Sequence, residues 1–151
     1  MLSGGRGQAG EASLQYLRHG REFVILATPG KHRFFEEEGK QVQDVRRVPI
    51  KHGGYSIGYW QGVDEGHVSV RIGVNRFREL KEYQLKRALG VLVPDLVGEF
   101  AAFSFLPFAP VRQQILSLGR AINRVRKLAG MECVPLVALI QQCRWNRWDQ
   151  T

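Results

Sequence analysis

The stretch YSIGYWQGVDEGHVSVRIGVN, residues 55–75, decides the fold of this chain. Its two arms, 55–61 and 67–74, are rich in β-branched and aromatic residues, and the segment 62–66 between them has the length and glycines of a hairpin loop. Every second residue of the later arm is apolar, which places four side chains on one face: Val68, Val70, Ile72 and Val74. The stretch predicts an antiparallel hairpin with one face toward a core and the other face free.

Upstream of this hairpin the sequence continues in short β-type runs. Residues 22–28 form a β-branched run, and residues 31–38 follow as its expected hairpin partner. Residues 41–50 are a possible third strand, whose proline near the end suits an edge or a strand terminus. A short helix is expected over 11–19, and residues 1–10 are expected to form a flexible leader.

Downstream of residue 74 the spacing of apolar residues becomes helical. Asn75 is expected to cap a helix that stops near Gly90, and Pro94 and Pro110 stand where a first helical residue is expected. The helix after Pro110 has an apolar stripe at spacings of 4, 3, 4 and 3, made by Val111, Ile115, Leu118, Ile122 and Val125. A last helix is expected from Pro135 to about Trp145.

These patterns together predict an α+β fold. An antiparallel sheet over about 22–74 is followed by a helical C-terminal half over about 75–146, and residues 11–151 form a single domain. The composition agrees with a folded protein, because 44% of the 151 residues are hydrophobic and 24% are charged.

The charge balance is strongly basic. The chain has 22 Lys and Arg against 14 Asp and Glu, a formal net charge of +8. Residues 76–151 hold twelve of the basic and six of the acidic residues, so most of the surplus lies in the second half. Such a surplus suits a nucleic acid or an anionic membrane surface as partner.

The compartment is expected to be intracellular, cytoplasmic or nuclear, and the protein is not expected to be secreted. Two cysteines cannot form a small secreted disulfide framework, and the N-terminus lacks the apolar run of a signal peptide. The most apolar stretch, 91–111, is interrupted by charged residues and prolines, so no transmembrane segment is predicted.

Basic and aromatic residues are interleaved in the predicted sheet. Cations can follow phosphates and aromatic rings can stack on bases, so the candidate nucleic-acid contacts here are Arg46, Arg47, Lys51, Trp60 and Arg71. With the valines toward the core, Arg71 faces outward. The neighbouring strand then presents either Ser56, Gly58 and Trp60 or Tyr55, Ile57 and Tyr59 on the same side, and the small residues beside Trp60 favour the first set. The alternative is that these aromatic residues fill a core.

A second set of candidate contacts lies on the helix after Pro110, which has five basic residues and no acidic one. Arg120, Arg124 and Lys127 are spaced i, i+4 and i+7, so they share a face that suits a phosphate backbone or an anionic membrane. The alternative is an ordinary solvated face. Two more basic segments, 76–87 and 144–148, strengthen the nucleic-acid hypothesis.

A nuclease is the alternative from the enzyme class. Clustered carboxylates can hold Mg²⁺ and a lysine can orient the attacking water, and the residues available for this are Glu36, Glu38, Lys40, Asp44 and Lys51. The acid-x-lysine spacing falls on an expected turn, whereas this chemistry needs it on a strand. The histidines and cysteines show no zinc-type spacing, so no cofactor or metal is expected except Mg²⁺ in a nuclease.

The sequence therefore predicts a non-catalytic protein that binds RNA or single-stranded DNA. The alternatives are a small Mg²⁺-dependent endonuclease and a peripheral membrane or matrix-like structural protein. The strongly apolar, phenylalanine-rich segment 96–108 exceeds what one small helix needs, so a homo-oligomer interface is predicted there.

Overall fold

The computed structural model of the chain describes residues 10–143. The described residues form two compact units, which divide between Gln43 and Asp44. Antiparallel strands come first and helices fill the C-terminal half, which confirms the predicted α+β fold. The single domain over 11–151 stays a prediction. Most of the predicted leader, the basic segment 144–148 and the expected end of the last helix lie outside the described residues.

The N-terminal unit begins with a two-stranded antiparallel hairpin, made by β1 (Leu14–His19) and β2 (Glu22–Ala27). The helix predicted over 11–19 is therefore wrong. Side chains of β1 pair across the hairpin, and the ring centroid of Tyr16 lies 5.7 Å from that of Phe23. Gly20 has a φ of 59°, as the first position of a tight two-residue turn requires. Cross-strand pairing outweighs the local pattern of this short segment.

A short helix, α1 (Arg33–Glu38), lies where the sequence predicted a strand over 31–38, and that prediction is wrong. Nδ1 of His32 caps the helix by accepting a hydrogen bond of 3.0 Å from the N–H of Phe34. Arg33 and Glu37 form an ion pair of 2.6 Å one turn apart. Glutamate favours helices and is depleted in strands, so the three consecutive glutamates support this outcome.

The third strand predicted over 41–50 is also wrong over all but its last residue. Asp44 organises a turn instead, because its backbone oxygen accepts hydrogen bonds from the N–H groups of Arg47 at 2.9 Å and Val48 at 2.8 Å. Strand pairing begins only after Pro49, which cannot donate to a ladder.

The C-terminal unit contains a three-stranded antiparallel sheet of β3 (Ile50–His52), β4 (Tyr55–Gln61) and β5 (Gly66–Ile72), in that order. Gln61 pairs with Gly66, so the hairpin predicted from residues 55–75 is confirmed. The strands predicted over about 22–74 thus belong to two separate sheets. Of the four apolar residues assigned to the core face, Ile72 is buried, whereas Val68 is 64% exposed near the hairpin end.

Helices complete this unit: α2 (Val74–Arg87), α3 (Val93–Ala102), α4 (Ala109–Leu128) and α5 (Leu136–Gln141). Pro94 and Pro110 each lie in the first turn of a helix, as predicted, whereas α2 begins one residue before the expected cap Asn75. The apolar stripe of α4 is confirmed by its four buried members, Val111, Ile115, Leu118 and Ile122. Within residues 10–143, no helix combines the length and the apolar composition that crossing a bilayer requires.

The apolar segment 96–108 packs in the core of its own chain. Leu96, Phe100 and Phe105 are at most 1% exposed. The ring centroid of Phe103 lies 6.4 Å from that of Phe100 and 5.6 Å from that of Phe105. Intramolecular packing therefore accounts for the composition on which the predicted homo-oligomer interface rested, and homo-oligomerisation itself stays a prediction.

Arg126 is a buried cation at the centre of the helical half, with 2% of its surface exposed. Its Nε donates to the backbone oxygen of Glu132 at 2.6 Å, and its Nη1 donates to the backbone oxygens of Ala88 at 2.6 Å and Val91 at 2.8 Å. Ala88 is the C-cap of α2, where helix carbonyls lack internal partners. One guanidinium thus joins the end of α2, the approach to α3 and the loop after α4.

Gly119 allows α5 to pack closely on α4. A Cβ atom there would lie 2.7 Å from Cδ2 of Leu136 and 2.8 Å from Cδ1 of Leu139, whereas a Cβ at Gly98 in α3 meets nothing within 4 Å. Both substitutions to alanine gain similar helix propensity. We expect Gly98→Ala to raise the free energy of unfolding by about 0.5–1 kcal/mol. The free energy of unfolding of Gly119→Ala should be lower than that of Gly98→Ala by about 1–3 kcal/mol. Equal free energies of unfolding in urea would contradict the close packing.

Candidate functional site

The register of the C-terminal sheet decides which residues share its free face. Ser56 pairs with Lys51 on one side and with Arg71 on the other, and Trp60 pairs with His67. Directly paired residues project to the same face, so these five side chains lie together. Of the two sets left open by the sequence, Ser56, Gly58 and Trp60 is the one that accompanies Arg71.

The opposite face of the sheet packs on the helical half. Ile72 is buried, and the hydroxyl of Tyr55 accepts a hydrogen bond of 3.1 Å from the N–H of Leu106. The ring of Tyr59 lies against Gly66, in space that a side chain at residue 66 would occupy. These two tyrosines are therefore structural, as the core-packing alternative holds, whereas Trp60 is 61% exposed.

Trp60 lines an open cleft of about 510 Å³ between the free face and the start of α4. The other residues that line it are His67, Val68, Ser69, Arg71, Ala109 and Pro110. Gln114 holds α4 against the edge of β5, because its Oε1 accepts from the N–H of Ile72 at 2.8 Å and its Nε2 donates to the backbone oxygen of Ile72 at 3.1 Å. The cleft thus has one wall of sheet and one wall of helix.

A second open cleft, of about 460 Å³, continues from the first along α4. The two clefts share Arg71, Ala109 and Pro110, and the second is completed by Phe77, Gln113, Gln114 and Ser117. Arg71 therefore lies at the junction between the free face of the sheet and the exposed side of α4.

The predicted basic residues of α4 extend the row of residues that lines these clefts. The row has spacings of 4, 4, 3, 4 and 3, which keeps it on one side of the helix: Ala109, Gln113, Ser117, Arg120, Arg124 and Lys127. All six are exposed. Ser117 and Lys127 are separated by about 15 Å along the axis, from a rise of 1.5 Å per residue. The cations of α4 and the free face of the sheet thus form one continuous surface, which we call the cleft surface: Lys51, Trp60, His67, Arg71, Arg120, Arg124 and Lys127.

The five cations of the cleft surface are exposed, and none forms an ion pair within the described residues. Other basic residues are engaged in the structure. Arg87 forms an ion pair of 2.6 Å with Glu99. Arg76 donates to the backbone oxygen of Gly53 at 2.9 Å and lies over the ring of Tyr55. The basic helix predicted from residues 76–87 therefore offers fewer available charges than its sequence indicates.

Arg46, one of the predicted contacts, is bound to Asp44. Its Nε lies 2.9 Å and 3.0 Å from the two carboxylate oxygens, and its Nη2 lies 2.6 Å from Oδ2. These side-chain hydrogen bonds, with one from the N–H of Arg46, lower the pKa of Asp44 to about 2. The cleft surface accordingly leaves out Arg46 and the adjacent Arg47, whose nucleic-acid contacts stay predictions.

The residues considered for a nuclease do not form a visible metal site. Glu36 and Glu38 lie on α1, where residues two apart do not face each other, and Lys40 lies in the following turn. Asp44 is bound to Arg46, and Lys51 belongs to the cleft surface. Across residues 10–143, no three His, Cys, Asp or Glu side chains are grouped as metal ligands.

Sequence reasoning did not single out His67, Gln113 or Ser117 as site residues. The length of the four-residue loop 62–65 could have predicted the position of His67. A hairpin that closes with the pair Gln61 and Gly66 places His67 opposite Trp60. Gln113 and Ser117 precede Arg120 at helical spacing. Neither a protein-family model, nor a curated protein, nor a solved structure matches this chain.

Proposed function

We propose that the cleft surface binds a single strand of nucleic acid, RNA or DNA, without catalysis. The observation that carries this proposal is that Trp60 and Arg71 line the connected clefts, while four more exposed cations continue from them, Lys51 on the same sheet face and Arg120, Arg124 and Lys127 on the same side of α4. Single-strand binders combine these two elements, because cations follow the phosphates and aromatic rings stack on the bases.

Trp60 is the stacking residue of this proposal. Trp60 is 61% exposed and lines the first cleft, and the neighbouring positions on the same face are the small residues Gly58 and Ser69. These small residues leave room for a planar base beside the indole ring. A base within a duplex already stacks on its neighbours, so this arrangement favours an unpaired base.

The cations give the phosphates a path. The backbones of Lys51 and Arg71 lie on either side of Ser56, about 10 Å apart at the usual strand spacing. From Arg71 the path continues along α4 to Lys127. Lysine and arginine contact phosphates irrespective of base sequence, so the proposal implies binding with little sequence preference.

A salt titration tests the proposal. We expect wild-type affinity for single-stranded oligonucleotides to fall with salt, by a log–log slope of about −0.7 per contacted phosphate. Replacing Arg120, Arg124 and Lys127 together by glutamine removes three contacts, so the slope should become shallower by about 2. Fluorescence anisotropy at several salt concentrations measures both quantities.

A control variant keeps the net charge equal. Lys31→Gln, Lys40→Gln and Lys86→Gln together remove the same charge from exposed positions outside the cleft surface. This variant should keep nearly the wild-type slope. Equal losses in the two triple variants would show that only net charge matters, and salt-independent binding would contradict phosphate contacts. Binding to anionic vesicles without affinity for oligonucleotides would favour the membrane alternative.

A further inference from the structure

The outer edge of β2 is an unpaired strand edge. Within residues 10–143, β2 pairs with β1 alone. The N–H of Thr28 donates to the backbone oxygen of Ser13 at 3.0 Å, and hydrogen-bonded pairs alternate along an antiparallel ladder. By this alternation Val24 and Leu26 turn their backbone groups toward β1. The backbone N–H and C=O groups that point to the open edge are those of Phe23, Ile25 and Ala27.

Apart from Glu22 at the turn end of the strand, the side chains of β2 offer this edge none of the usual protection. Sheet edges are commonly guarded by charges, prolines or bulges. Residues 23–27 are all apolar and contain no charge, proline or glycine, and Phe23 is 62% exposed. The other strand of the hairpin carries Arg18 and His19. The two edges therefore differ, and β2 is the one suited to further pairing.

The hairpin consists of only two strands. An isolated two-stranded sheet is marginal in water, and either further strands with an apolar face or packing against a helix stabilises it. One face of this hairpin carries the neighbouring rings of Tyr16 and Phe23 together with Ile25, and all three are at least 38% exposed. Additional strands beside β2 would extend this apolar face and satisfy the open backbone groups.

We propose that β2 pairs antiparallel with β2 of a second copy of this chain, around a twofold axis at Ile25. The result is a four-stranded sheet with β1 at both outer edges. Ile25 then stands opposite itself, and Phe23 stands opposite Ala27, so a large side chain meets a small one. The outward backbone groups of all three residues are paired in this register.

The strand's own chemistry makes a second copy the occupant. An antiparallel pair of identical strands is isologous, so the segment must complement itself. Residues 23–27 meet this condition because no charge faces a like charge and bulk alternates across the axis. This dimer is independent of the nucleic-acid proposal, because it is built from the N-terminal unit.

Light scattering during size-exclusion chromatography of the full chain tests the dimer. We expect wild type at twice its monomer mass of 17.2 kDa. Ile25→Lys places two like charges directly opposite each other, which should raise the dimer dissociation constant roughly tenfold or more. The matched control is Leu17→Lys in β1, an exposed apolar residue on the outer strand, and it should remain dimeric. A monomeric wild type at all concentrations would overturn the proposal, as would equal dissociation of the two variants.

Cross-linking gives a test that does not depend on the folding of a charged variant. Hydrogen-bonded antiparallel pairs have Cα atoms about 5.5 Å apart, within disulfide range. In a Cys133→Ser background, which removes the exposed thiol, Ile25→Cys should form a covalent dimer on mild oxidation. Leu17→Cys should stay uncross-linked. Cross-linking of both variants at the same rate, or of neither, would contradict the register.

Discussion

An Arg126→Met variant is expected to lose about 3–5 kcal/mol of unfolding free energy. The replacement keeps much of the volume but removes three hydrogen bonds to backbone oxygens, each donated by a charged group. The substitution leaves the backbone carbonyls of Ala88, Val91 and Glu132 in place, and each of them loses a hydrogen-bond donor. Urea unfolding followed by circular dichroism measures the loss.

The control for this experiment lies two residues away. Arg124 is exposed on the same helix, so Arg124→Met should change the stability by no more than about 0.5 kcal/mol. Arg126→Lys keeps the charge but not the planar fork that reaches several oxygens, so it should fall between wild type and Arg126→Met. A loss under about 1 kcal/mol for Arg126→Met would show that water satisfies the three carbonyls.

The burial of Arg126 was indicated by a pattern in the sequence that the sequence analysis did not use. The apolar stripe of α4 runs through Leu118 and Ile122, and a further step of four residues reaches Arg126. An arginine on the buried side of an amphipathic helix was therefore visible as a pattern. Counting Arg126 only as one of the five basic residues of the helix overlooked that position. Its partners could not be foreseen, because they come from two connections, one between α2 and α3 and one between α4 and α5, that only the fold brings together.

The elements that were predicted correctly are long or have strong local punctuation. The stripe of α4 runs from Val111 to Val125 in a helix of 20 residues, and the hairpin of β4 and β5 is closed by a glycine-bounded loop. Periodicity over such lengths is little affected by the surroundings.

The elements that were predicted wrongly are short. Residues 11–19 and 31–38 are each shorter than ten residues, so a few side-chain contacts decide between helix and strand. A single cap at His32 and a single ion pair are enough to favour α1. Pairing across the hairpin decides the state of β1.

The candidate site was predictable in its parts but not in its assembly. The residues Trp60, Arg71, Arg120, Arg124 and Lys127 all follow from composition and spacing. Their placement on one surface depends on Gln114, which holds α4 beside β5 through two hydrogen bonds to Ile72. No local pattern marks a glutamine 42 residues away as the partner of a strand edge. Arg46 forms an ion pair with Asp44, two residues earlier, which its place among the basic residues did not indicate.

Trp60→Ala is expected to have the largest effect on binding of any single substitution. Stacking contributes about 1–3 kcal/mol per base, so the affinity for a single strand should fall by roughly 5-fold to 150-fold. The indole contacts no phosphate, so the salt dependence should keep its wild-type slope. This combination separates stacking from the loss of a charge, which would change the slope. Trp60→Phe retains an aromatic face and should recover most of the affinity.

Two comparisons show whether the loss comes from stacking. Tyr83 lies on α2, outside the cleft surface, and is 48% exposed. The Tyr83→Ala variant should therefore bind the single strand with wild-type affinity. A duplex of the same sequence keeps its bases stacked on one another, so Trp60→Ala should weaken its binding much less than that of the single strand. Equal losses on duplex and single strand would mean that Trp60 only shapes the cleft. An unchanged affinity for the single strand would show that no base stacks on Trp60. The binding site would then consist of the cations that contact the phosphates.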